Sequence, residues 1–100
     1  MRVIAKRTIV EFGEKNPAAR ASLEHWLRVA TAAAWTSTGD VQAAFSKAKV
    51  LNADCVRFDV AGGDFRMICA FDFSREVAFV KFIGTQAEYD RIDALTVSKF

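Results

Sequence analysis

Asp54-Cys55-Val56-Arg57-Phe58-Asp59-Val60-Ala61-Gly62-Gly63-Asp64-Phe65-Arg66-Met67-Ile68-Cys69-Ala70-Phe71-Asp72-Phe73 is the stretch that decides the architecture of this chain. Its apolar period is two, with Val56, Phe58 and Val60 on one side of an extended segment and Cys55, Arg57 and Asp59 on the other. Gly62-Gly63 supplies the positive φ angles of a tight hairpin turn, and residues 64–73 form the return strand. With the two glycines at the turn, Val60 faces Phe65, Phe58 faces Met67 and Val56 faces Cys69, which makes one wholly apolar face. The reverse face then pairs Asp59 with Arg66 and Arg57 with Ile68.

Ser74-Arg75 marks a second turn, and Glu76 to Gly84 reads as a third strand, so the expected sheet is a three-stranded antiparallel meander. A turn at Ser74-Arg75 sets Lys81 opposite Ile68 and brings Arg57, Arg66 and Lys81 onto one face. Strands lie ~5 Å apart, so the three heads can converge on one or two phosphates. Two readings stay open on spacing alone. These are phosphate-gripping groups, or they are ordinary solvated charges with Asp59 and Arg66 as a cross-strand ion pair. Phe79 and Ile68 lie on the same face, where they suit base stacking or burial under the last helix.

Upstream, Met1 to Ile4 reads as a short strand and Lys6 to Lys15 as a helix with Ala5, Ile9 and Phe12 on one side and a Glu11–Lys15 pair. Asn16-Pro17 is a restart signal, with Asn16 as N-cap and Pro17 at the first helical position, where its missing N–H costs nothing. The second helix carries the apolar stripe Leu23, Trp26, Leu27, Ala30 and Ala34, pairs Glu24 with Arg28 outside, and fades at Thr36-Ser37. Thr38 to Asp40 caps a short helix that runs through Phe45. Downstream, Thr85 caps a last helix from Gln86 to about Ala94, followed by the tail 96–100. The class is α+β, with N-terminal helices packed on an antiparallel sheet.

The chain has 100 residues, 52% of them hydrophobic and 26% charged, which fits one domain over residues 1–100 with a buried core. No apolar run approaches the ~20 residues that span a bilayer, and no signal-peptide core follows Arg2, Lys6 and Arg7, so a cytoplasmic protein is expected. Cys55 and Cys69 lack a CxxC spacing, and His25, the sole histidine, cannot anchor a zinc site of usual spacing. His25 reads as a boundary residue far from the cationic face, and Trp26 and Trp35 as core or partner-facing residues. A net charge of +2 decides no partner.

The segment 52–68, with Phe82-Ile83-Gly84-Thr85-Gln86-Ala87-Glu88-Tyr89-Asp90 beyond it, resembles the HigB family of type II toxins, of RelE-like fold. The order helix, helix, hairpin, strand, short helix agrees with that family over essentially the whole chain. The resemblance implies a cytoplasmic endoribonuclease, an mRNA interferase, that cleaves mRNA, often on the translating ribosome, without metal or other cofactor. It also implies a helix-turn-helix antitoxin, HigA-like, that silences the toxin and represses the operon. No membrane partner is implied.

In such nucleases the RNA's own 2′-hydroxyl attacks the adjacent phosphate. This requires removal of the 2′ proton, stabilisation of the charged transition state and protonation of the leaving 5′ oxygen. Carried onto this chain, the resemblance makes Arg66, Gln86, Glu88 and Tyr89 the catalytic candidates, with Arg57 and Lys81 holding RNA phosphate. Arg66 suits charge stabilisation because its planar fork matches phosphate oxygens. The family pattern is Thr-His-x-Glu-Tyr-Asp, and this chain has Gln86 at the histidine position. Glutamine hydrogen-bonds but does not exchange a proton near neutrality. Either Glu88 or Tyr89 carries proton transfer, or the enzyme is weakened, or Gln86 is a detoxifying substitution. A catalytically inactive toxin-fold module that binds its antitoxin and contributes to repression is the alternative function. Glu88, Tyr89 and Asp90 also read as an ordinary acidic first turn of a helix.

Overall fold

The computed structural model describes residues 1–97. Its strands are β1 (Arg2–Ile4), β2 (Lys49–Val50), β3 (Cys55–Val60), β4 (Phe65–Asp72) and β5 (Val77–Thr85). Its helices are α1 (Lys6–Lys15), α2 (Pro17–Ala32), α3 (Thr38–Ala44) and α4 (Gln86–Tyr89). The hairpin of β3 and β4 has the expected register, with Val60 facing Phe65, Phe58 facing Met67, Asp59 facing Arg66 and Arg57 facing Ile68. Its loop turns over Ala61–Gly63, where Ala61 (φ 52°), Gly62 (φ 72°) and Gly63 (φ 101°) all have positive φ, the conformation that favours glycine.

The sheet is larger than a three-stranded meander and is mixed, in the order β1-β5-β4-β3-β2. β1 joins β5 in parallel, pairing Val3 with Ala78 and Ile4 with Phe79. β2 adds two residues to the outer edge of β3, opposite Val56 and Arg57. A strand of two residues has no detectable period, and parallel pairing of distant segments leaves no turn signal between them.

The expected pairing of Lys81 with Ile68 does not form. From Asp72–Val77 to Cys69–Val80 the register follows a turn at Ser74-Arg75, but the next pair is Ile68 with Phe82. Lys81 is the extra residue of a bulge. The bulge keeps Val80 and Ile83 in the core and Phe82 and Phe79 on the opposite face.

The core lies between the apolar sheet face and α2, whose buried residues are Ala19, Leu23, Trp26, Leu27 and Ala30. Ala34 does not extend this stripe, because α2 stops at Ala32 and Ala34 is exposed; Trp35 is buried in its place. Trp26, Trp35, Phe45, Phe58 and Phe71 interlock edge to face or stacked, with centroids 5.4–6.5 Å apart. Met1 is buried beside α2 and its ammonium donates to the carbonyls of Ala30 and Ala33 at 2.9 and 2.7 Å, at the negative end of the helix dipole.

Several local expectations change in detail. On α1 and α2 the ion pairs are Arg7–Glu11 and Arg20–Glu24, each one turn earlier than the pairs read from sequence. Asn16 occupies the N-cap position of α2 but its Nδ2 donates backwards to the carbonyl of Phe12. Ser37, not Thr38, caps α3, accepting from the Asp40 N–H. The last helix ends at Tyr89 rather than about Ala94, and turns follow it. Residues 98–100 of the expected tail lie outside the described residues.

Candidate functional site

Alternation along β3 and β4 sends Arg57, Asp59 and Arg66 to the sheet face opposite the core. Asp59 Oδ1 lies 3.3 Å from Arg66 Nη1 and 3.5 Å from Arg57 Nε, so one carboxylate serves two guanidiniums. The side chains of Arg57, Arg66 and Asp59 are 18%, 15% and 26% exposed, which screens their charges far less than open solvent would. Arg57 Nε is buried and makes no hydrogen bond among the described residues. At 3.5 Å its contact with Asp59 is electrostatic.

Tyr89 completes the cluster. Both guanidinium carbons lie 5.6 Å from its ring centroid, a cation–π distance, and the ring packs on Phe82 at 6.3 Å. Phe82 and Ile68 are fully buried on this face, so the face is partly roofed rather than wet throughout.

The hairpin loop fixes both halves of this arrangement. The carbonyl of Gly63 accepts from Arg66 Nε at 3.4 Å, and the carbonyl of Asp64 accepts from the Gln86 N–H at 3.1 Å. The turn that reverses the chain thus also anchors the start of α4. A reciprocal capping box then sets the helix, with Thr85 Oγ1 accepting from the Glu88 N–H at 3.1 Å and Glu88 Oε1 accepting from the Thr85 N–H at 2.9 Å. Gly84 makes room for this return of the Glu88 carboxylate. A Cβ there would lie 2.8 Å from Phe82 Cζ and 3.1 Å from Glu88 Oε1.

Lys81, displaced by the bulge, places its ammonium 5.5 Å from the Phe79 ring centroid. It also lies near enough to Cys55 to oppose the upward shift of that thiol, which burial dominates and Asp54 reinforces. Cys69, fully buried, is raised further, again by burial first.

Residues 19–92 match the model of the HigB toxin family, described as the RelE-like toxic component of a toxin–antitoxin system. The chain belongs to the HigB toxin family. The match covers well over half of its length and includes the hairpin, β5 and α4. No curated protein matched the chain. Membership makes the chain the toxic partner of an antitoxin, in an α+β fold consistent with the RelE-like one.

Within this HigB-family chain, Arg57, Arg66 and Tyr89 come together as one cluster, whereas Lys81 stands beside Phe79. Glu88 is exposed with its carboxylate turned back to cap the helix, and Gln86 is exposed at the first position of α4. Among the described residues no group of three or more His, Cys, Asp or Glu is gathered as a metal site would require. No helix among them is long and apolar enough to cross a membrane.

Sequence reasoning undervalued Asp59, taken only as an ion-pair partner of Arg66, although the i,i+2 spacing from Arg57 already put both on one face. His25 lies on α2, which packs on the core face of the sheet, away from the face that carries Arg57, Asp59 and Arg66.

Proposed function

We propose that this toxin is an endoribonuclease that cleaves mRNA by attack of the RNA's own 2′-hydroxyl on the neighbouring phosphorus. The P–O5′ bond breaks, the 5′ oxygen takes up a proton, and a 2′,3′-cyclic phosphate remains. The observation that carries this reading is the pair of half-buried guanidiniums, Arg57 and Arg66, held by Asp59 against the ring of Tyr89. Two fixed cations in a site shielded from solvent stabilise the charge that builds on phosphorane oxygens and cost little reorganisation. Arg66 is the charge stabiliser, Arg57 grips the scissile phosphate, and Lys81 holds an adjoining one.

Tyr89 is the best-placed proton carrier, since the Glu88 carboxylate is engaged in the capping box and Gln86 does not titrate. The substrate is mRNA, met on the translating ribosome. The protein works in the cytoplasm, and a HigA-like helix-turn-helix antitoxin silences it.

The test is induction of the protein alone in a bacterial host, with new 5′ ends of mRNA mapped. Growth arrest with discrete new ends is expected, and both vanish in Arg66→Ala. Undiminished cleavage by that variant overturns the assignment.

A second reading rests on Gln86, which stands where the family pattern has histidine. On it the chain is an inactive toxin-fold module that binds antitoxin. No new 5′ ends in the native protein, together with their appearance in Gln86→His, would select it.

A further inference from the structure

A cavity of about 290 Å³ opens between α2, the segment 44–48 and β3, with Trp26, Phe45 and Phe58 as aromatic walls. It lies on the core side of the sheet, at the edge where β2 stops. β2 pairs only with Val56 and Arg57, so among the described residues no strand covers the outer edge of β3 from Phe58 onward.

Alternation fixes which main-chain groups that edge presents. The carbonyl of Asp54 accepts from the Phe71 N–H at 2.7 Å, on the β4 side, and the carbonyl of Cys55 accepts from the N–H of Leu51, directly after β2, at 2.9 Å. The odd-numbered residues Cys55, Arg57 and Asp59 therefore turn their N–H and C=O groups away from β4. There Arg57 is paired with Lys49, and the Ala61 N–H is taken by Ser22 Oγ at 3.1 Å. Between them, Asp59 has no strand partner on that side among the described residues. Its side chain leaves on the opposite face of the sheet, with Arg57 and Arg66, so Asp59 borders the cavity through its main chain.

One donor and one acceptor thus stand in strand geometry beside an aromatic pocket. A residue of an extended peptide matches that pair, and an uncovered strand edge is a template for it. The pocket takes one or two side chains and excludes a helix, which is ~10 Å wide. Its rim is positive, because Lys47 and Lys49 are exposed and the Asp59 carboxylate already serves two guanidiniums. Family membership supplies a protein partner, the antitoxin.

We infer that this edge of β3 and its cavity receive an extended, acidic segment of the antitoxin. One residue of the segment makes both main-chain bonds to Asp59 and carries the sheet beyond β3. The next side chain, apolar and turned to the core face by the same alternation, fills the aromatic cavity. Acidic neighbours meet Lys47 and Lys49. The inference rests on the family's antitoxin partner and stands whether or not the chain cleaves RNA.

The probe is the antitoxin of the same operon, added to the full chain, with amide hydrogen exchange followed by NMR. Exchange of the Asp59 N–H is expected to slow about ten-fold, the factor that accompanies one net hydrogen bond. The Phe58 N–H, which faces β4, is the internal control and changes little. Equal slowing at both positions reports general stabilisation and overturns the proposal, as does an unchanged Asp59.

Ser46→Trp, which fills the mouth of the cavity, is expected to weaken antitoxin binding about 30-fold at native Tm, and Lys47→Glu weakens it less. Native affinity in Ser46→Trp at native Tm overturns the cavity's part. If that variant melts early, exchange at Asp59 decides alone. Slowing of Asp59 by a short RNA and not by the antitoxin would assign the edge to nucleic acid and overturn the proposal, and so would failure of the native chain to bind the antitoxin.

Discussion

Asp59 and Arg66 face each other across β3 and β4, with Oδ1 3.3 Å from Nη1, and the same oxygen reaches Arg57 at 3.5 Å. The carboxylate thus holds two like charges together at the place where a phosphate is proposed to bind.

Removing that carboxylate leaves two poorly solvated guanidiniums facing one another. Asp59→Ala is expected to lower stability by about 1–3 kcal/mol. Inorganic phosphate should restore part of the loss, because an oxyanion can replace the carboxylate. Thermal melts with and without phosphate check this, and a phosphate-induced gain in Tm no larger in the variant than in the native chain contradicts it.

Glu88 separates structural from chemical use of an acid. A capping box accepts Gln in place of Glu at its third position. Glu88→Gln therefore keeps both Tm and cleavage rate near native, and Glu88→Ala lowers Tm. A large loss of cleavage in Glu88→Gln at native Tm would make this carboxylate a proton carrier.

Tyr89 offers the converse case. Tyr89→Phe retains the ring against Phe82 and both guanidiniums but removes the hydroxyl. Cleavage is expected to fall about 10²–10⁴-fold, the usual contribution of a proton-transfer group, with Tm unchanged. Single-turnover rates on a short RNA, measured beside the melting curves, decide the matter.

At Gly84 a methyl group meets the Phe82 ring and the Glu88 carboxylate at once. Gly84→Ala is expected to cost about 1–3 kcal/mol by overpacking. Displacement of α4 should disturb Tyr89 as well, so the Arg57 and Arg66 Nε–H resonances shift together with the loss in Tm.

Asp72, at the end of β4, titrates below the ordinary carboxylate value, chiefly because the Ser74 hydroxyl donates to it at 2.8 Å and then because the Arg75 N–H does so at 3.1 Å. The ionised form is therefore favoured by folding. Its contribution is full above the ordinary value of 3.8 and is lost as pH falls through the lower folded value. Ser74→Ala should raise the midpoint of the Asp72 carboxyl carbon titration towards 3.8. An unmoved midpoint excludes the hydroxyl as the main cause.

Where neighbours in the chain are neighbours in space, the sequence was readable. Val56, Phe58 and Val60 alternate without interruption, and Gly62-Gly63 marks their reversal, so the hairpin register and the Asp59–Arg66 pairing followed directly. The capping box was visible only as Thr85, since Glu88 also reads as an acid serving a helix dipole. Lys81 defeated the reading because a bulge leaves no mark in an apolar strand such as Val77–Thr85. The parallel contact of β1 with β5 was also hidden, because it joins segments far apart in the chain.

Because Lys81 is a supernumerary residue, β5 runs in two phases. Odd-numbered Phe79 and even-numbered Phe82 look the same way, while Val80 and Ile83 look inward. The strand is therefore intolerant of length changes in a way that a regular strand is not. Losing one residue between 77 and 80 would turn Phe79 into the core and expel its neighbours, whereas losing Lys81 itself would leave a regular strand with every other side chain correctly aimed. In this protein the cation at that position is the one residue of the strand that folding could do without.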